Sequence, residues 1–100
     1  MRVHYFFKNL FPKEKTNLRN LVQAKIGQLV KMVRATPETA LAVKGEKTAK
    51  KSAYIIELVF RHNGKRFVAK EDDHTIQEAV DISLSGIVMQ VRKVKQLNSI

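Results

Sequence analysis

The sequence predicts an α+β domain of order β-α-β-β-β-α, with one four-stranded sheet and both helices packed on one of its faces. Three observations predict it. SAYIIELVFRH (52–62) alternates apolar and polar residues and runs into Asn63-Gly64, the strongest short hairpin signal, because both turn positions take positive φ. Apolar residues recur every three or four positions over 15–33 and again over 76–94, the spacing of amphipathic helices. Only two helical segments stand among four extended ones, and that mixed order suits a single sheet covered on one side.

The elements follow in order. RVHYFFK (2–8) alternates, with Val3, Tyr5 and Phe7 on one face and Arg2, His4, Phe6 and Lys8 on the other, as a half-buried strand does. Asn9 to Thr16 reads as a loop into a helix, where Pro12 is tolerated before or within the first turn. The first helix, from about Lys15 to Val33, carries Leu18, Leu21, Val22, Ile26, Leu29 and Val33 as its apolar stripe. Gly27 weakens that helix by about 1 kcal/mol relative to alanine and points to close packing there. Thr36-Pro37 ends it, since a residue before proline is pushed out of helical space.

TALAVKGEK (39–47) reads as a short strand, KTAKKS (47–52) as a basic loop, and KRFVAKED (65–72) as the return strand of the hairpin. A two-residue turn sets the register: Phe60 opposite Phe67, Leu58 opposite Ala69, Glu57 opposite Lys70, and Arg61 opposite Arg66. Tyr54, Ile56, Leu58, Phe60, Phe67 and Ala69 then line the core, and Glu57, Arg61, Arg66 and Lys70 face away from it. Two arginines opposite each other repel by a few tenths of a kcal/mol unless an anion lies between them. The last helix opens on a capping box, Thr75-Ile76-Gln77-Glu78. Its buried stripe is Ile76, Val80, Ser83, Leu84, Ile87, Val91 and Val94. Arg92, Lys93 and Lys95 fall near its negative end.

Charge is the strongest compositional signal. Nineteen Lys and Arg face nine Asp and Glu, for a formal net charge of +10. Five of the acids (Glu71, Asp72, Asp73, Glu78 and Asp81) fall within eleven residues, which leaves four acids against nineteen cations elsewhere. Between Glu14 and Glu38 stand Lys15, Arg19, Lys25, Lys31 and Arg34 with no acid. The acidic run is explained by the positive end of the last helix. The segregated cations point to a polyanion-binding surface.

Other function classes lose ground on inspection. His4, His62 and His74 are scattered and cysteine is absent, so no zinc-ligand spacing exists. Glycines 27, 45, 64 and 86 form no phosphate-binding loop, and no serine sits in a nucleophile motif. The reading is a non-enzymatic domain without catalytic residues, cofactor, metal or small-molecule substrate. No apolar run approaches a membrane span, so no membrane partner is expected. MRVHYFFKNLF reads as structure rather than a signal peptide, and the lack of cysteine fits a cytoplasmic protein.

Several stretches together resemble the short ribosome hibernation promoting factors, the ribosome-associated inhibitor or sigma-54 modulation family. Val22-Gln23-Ala24-Lys25-Ile26-Gly27-Gln28-Leu29-Val30-Lys31 is similar to the family's V-x-x-K-L-x-x-L-x-K. Asn63-Gly64 precedes an alternating strand, and Ala79-Val80-Asp81 is similar to the family's A-I-D, followed by Gln90 and the basic end. Gln77, where an aromatic is common, Gly86 within the helix, and the weakly charged Ser83–Met89 stretch depart from the pattern.

The resemblance covers nearly the whole chain. It implies one ribosome-binding domain over 1–100, the short form of the family, similar in shape to the double-stranded RNA-binding fold. It implies binding as a monomer to the small ribosomal subunit and its rRNA, occlusion of the tRNA and mRNA sites, and silencing of translation. The residues expected to meet RNA are Lys25, Lys31, Arg61, Arg66, Arg92, Lys93 and Lys95. Rival expectations are a general structured-RNA-binding module, a domain that modulates a transcription factor, and a single-strand binder using Phe6.

Overall fold

The computed structural model describes residues 1–49 and 53–98. The elements are β1 (Arg2–Lys8), α1 (Pro12–Lys25), α2 (Gly27–Val33), β2 (Ala40–Thr48), β3 (Ala53–His62), β4 (Lys65–Asp73) and α3 (Ile76–Asn98). The strands lie in the order β1-β2-β3-β4, with β1 parallel to β2 and the other two pairs antiparallel. The α+β class and the packing of the helices on one face agree with the sequence reading. Lys50, Lys51 and Ser52 of the expected basic loop lie outside the described residues.

The hairpin register is the expected one. Phe60 pairs with Phe67, Leu58 with Ala69, Glu57 with Lys70 and Arg61 with Arg66. Asn63 and Gly64 both take positive φ, 50° and 76°, as a turn that matches the strand twist requires. Ile56, Leu58 and Phe60 are fully buried beneath the helices, with Leu41 and Val43 beside them on β2. Leu18 and Val22 of α1, Leu29 of α2, and Val80 and Ile87 of α3 close the core from above. The close approach of α1 depends on Gly45: a Cβ there would stand 2.5 Å from Leu18 Cδ2.

The single helix expected over 15–33 is two. It begins three residues early, at Pro12, where proline's missing N–H costs nothing. Glu14 Oε1 accepts the Phe11 N–H at 2.8 Å and caps the turn. Ile26 interrupts the regular run, although its N–H still donates to Val22 O at 2.9 Å and its carbonyl accepts from Val30 N. Gly27 has open space around it, so the close packing expected there is absent. The stop also differs from expectation. Arg34, in the left-handed region at φ 53°, caps α2 and donates its N–H to Val30 O, two residues before Thr36-Pro37. The 36–39 turn is held by the buried Thr39, whose Oγ1 accepts Thr36 N–H at 3.0 Å and lies 2.7 Å from His62 Nδ1.

α3 runs through Gly86 without a break, because the missing side chain lets the helix sit against Ala69; a Cβ there would stand 3.3 Å from the alanine's own. Buried Ser83 returns its hydroxyl to Ala79 O at 2.7 Å and needs no other partner. The Thr75 cap forms, with Glu78 N–H donating to Thr75 Oγ1 at 3.1 Å. Asp73 beside it, by hydrogen bonding and charge, holds the Glu78 carboxyl above the ordinary range.

Candidate nucleic-acid interface

Alternation along the strands decides where each cation can point. On the face away from the helices, the register aligns Arg2, Ala40, Arg61 and Arg66 in one row, and Phe6, Lys44, Glu57 and Lys70 in another. Arg61 and Arg66 therefore share a face with Arg2, which the sequence reading had not connected with them. Lys25, Lys31, Arg92, Lys93 and Lys95 belong to the helix layer on the other side of the sheet. The seven residues thus form two surfaces, separated by the thickness of the sheet.

On the helix side, α1 and α2 run beside α3 and leave a groove of about 460 Å³. Lys25, Gln28, Ser85 and Arg92 present donors along it, over Leu29, Leu84 and Val88. Lys25, the last residue of α1, forms an ion pair with Asp81 across the groove. Asp81 Oδ1 is shut away from solvent with the Lys25 ammonium as its neighbour. An incoming phosphate would compete with that carboxylate for Lys25, whereas Arg92 has no such rival among the described ion pairs.

Lys95 has a structural task as well. Its ammonium donates to Met32 O at 2.6 Å, tying the end of α3 to the end of α2. Lys31 and Lys93 are exposed. Along this groove and the adjoining helix faces, Arg92, Lys93 and Lys31, with Gln28 between the helices, are exposed and can meet phosphate oxygens by charge and hydrogen bonding.

Two other cations of the first helix lie over aromatic rings of β1. Arg19 lies over the rings of Phe7 and Tyr5, at 5.0 and 5.7 Å, and Lys15 lies over Phe7 at 5.7 Å. Lys47 stands over Phe11 and Tyr54 and 3.7 Å from Glu14. Glu14 accepts the Tyr54 hydroxyl, and that bond, then the Phe11 N–H, hold its carboxyl below the ordinary range. The same bond raises the Tyr54 hydroxyl. The sequence shows these cations but no spacing that pairs them with residues of other elements.

Among the described residues no group of three or more His, Asp or Glu is placed to hold a metal, and no helix is long and apolar enough to cross a membrane. No family model matches the sequence, and no curated protein matches it. Solved structures do match. A ribosomal subunit interface protein from Coxiella burnetii superposes with a TM-score of 0.71 at 17% identity, covering 96% of this chain and 99% of that one.

The chain has that protein's fold.

The N-terminal domain of Thermus thermophilus Protein Y shares it too, with a TM-score of 0.75 at 19% identity over 94% of this chain and 99% of that domain. At such identities the likeness lies in the backbone: four strands and their helix layer match end to end while most side chains differ.

Proposed function

We propose that this chain is a ribosome-associated inhibitor of translation, which binds the small ribosomal subunit through the cationic surface of α1, α2 and α3 and occludes the tRNA and mRNA sites. The observation that carries the reading is the full-length fold shared with a protein named for the ribosomal subunit interface. The helix layer adds Arg92, Lys93 and Lys31 as exposed cations, the chemistry that rRNA backbone recognition by shape and charge needs. The reading places the protein in the cytoplasm and makes its action stoichiometric. It acts as a monomer, with residues 1–100 as one binding domain.

Co-sedimentation of the purified protein with small subunits and with intact ribosomes, at two salt concentrations, tests it. Saturable binding near one copy per small subunit, weakening steeply with salt, is expected. Equal or tighter binding to bare RNA hairpins than to small subunits would replace the ribosome with structured RNA in general.

A further inference from the structure

Where α2, the C-terminal half of α3 and the β3–β4 hairpin meet, they enclose a second groove of about 430 Å³. Its floor is apolar: Met32, Val33, Val91 and Val94, with Phe67 beneath them. Among the described residues its charged lining is of one sign, Arg34, Lys65 and Lys95, with His62 beside them and no acid. The grooves along α1 differ in this respect, since Asp81 lines one and Glu14 another. Among the described residues no carboxylate lies within ion-pair distance of Arg34 or Lys65. Lys95 is held by Met32 O, so Arg34 and Lys65 are the cations this groove offers. Arg34 sits there in a left-handed backbone conformation that glycine would adopt with less strain, so the guanidinium is kept at a conformational cost.

We propose that this groove docks an acidic protein segment carrying a bulky aliphatic anchor. The anchor rests on the floor, and its flanking carboxylates reach Arg34 and Lys65. Charge complementarity selects an acidic partner, and the floor selects an apolar one. A nucleobase fits less well, because stacking needs an exposed ring face and Phe67 is only 8% exposed. A bare phosphate backbone would leave the aliphatic floor in water. The site adjoins the proposed RNA surface and stands or falls separately from it.

The test titrates the full-length ¹⁵N-labelled protein with a capped octapeptide in which two leucines are flanked on both sides by glutamates. Saturable amide shifts confined to the groove residues are expected. Replacing the leucines by serine, or the glutamates by glutamine, should weaken binding by about tenfold or more, the scale of one missing anchor or charge-assisted hydrogen bond. Arg34→Gly should leave the melting temperature unchanged or higher and reduce peptide affinity by a similar factor, and Lys65→Gln should reduce affinity without touching the backbone. Equal affinity for the serine peptide overturns the proposal, and so does parental affinity in both variants. A single-stranded RNA octamer that shifts the same amides at lower concentration overturns it in favour of a nucleic-acid subsite.

Discussion

Glu14 joins the start of α1 to β2 and β3, since its carboxylate takes the Phe11 N–H, the Lys47 ammonium and the Tyr54 hydroxyl. Its folded pKa lies below its unfolded one, so its contribution is present above the unfolded value of about 4.5 and is lost as pH falls through the folded value. Tyr54→Phe should therefore cost about 1 kcal/mol at neutral pH and flatten the acid limb of the stability curve. Thermal melts between neutral and acid pH would read both, and parallel curves would clear Glu14 of the role. Glu78 acts with the opposite sign: its pKa is raised by Asp73, so the folded state gains as pH falls through that group's range. Comparing variant with parent at each pH cancels the Glu78 contribution. The Lys25–Asp81 pair yields another residue-scale expectation. Both side chains are more than a third exposed, so Asp81→Asn should lower stability by about 1 kcal/mol at most. It should also tighten binding to small subunits by freeing Lys25, and weaker binding would show that Asp81 itself touches the partner.

At the scale of elements, two glycines predict opposite outcomes from one substitution. Gly27 opens α2 with nothing near a would-be Cβ, so Gly27→Ala should stabilise the domain by about 0.5–1 kcal/mol. Gly45 lies under α1, where an added Cβ would stand 2.5 Å from Cδ2 of the fully buried Leu18, so one of the two must shift. Gly45→Ala should cost about 1–3 kcal/mol through overpacking. Chemical denaturation of the two variants in parallel checks both signs, and equal effects would mean that the placement of α1 on the sheet is wrong.

For the whole molecule the decisive quantity is the salt dependence of binding. Lys95 supports the α2–α3 junction, so the informative pair is Arg92 and Lys93, which are exposed and carry no described ion pair. Arg92→Gln with Lys93→Gln should leave the melting temperature nearly unchanged and weaken binding to small subunits. The slope of log affinity against log salt should fall by about one for each phosphate that is no longer neutralised. Binding across a salt series reads it, and a parental slope would move the functional surface elsewhere. Arg61→Gln with Arg66→Gln tests the opposite face in the same assay: a parental slope confines the RNA contact to the helix layer, and a reduced slope shows that both faces of the sheet meet phosphates.

Local pattern by itself determined the strands, the hairpin and its register, and the apolar stripes of the helices. Side-chain alternation, a two-residue turn and helical periodicity are all written between near neighbours in the chain. Asn63-Gly64 alone carried the pairings from Glu57–Lys70 to Arg61–Arg66, and the ladder extends beyond them to Tyr54–Asp73 and His62–Lys65. The uneven distribution of charge was legible for the same reason. Tertiary structure decided which cations are free. Lys25 meets Asp81, Lys95 meets Met32, and Arg19 lies over Phe7, each joining elements that no spacing in the sequence relates. It also brought Arg2 into one row with Arg61 and Arg66 across the sheet and put the end of the first helical segment at Arg34 rather than at Thr36-Pro37. A cation's availability depends on what stands within a few ångströms of it, and that is settled only when the helices pack on the sheet.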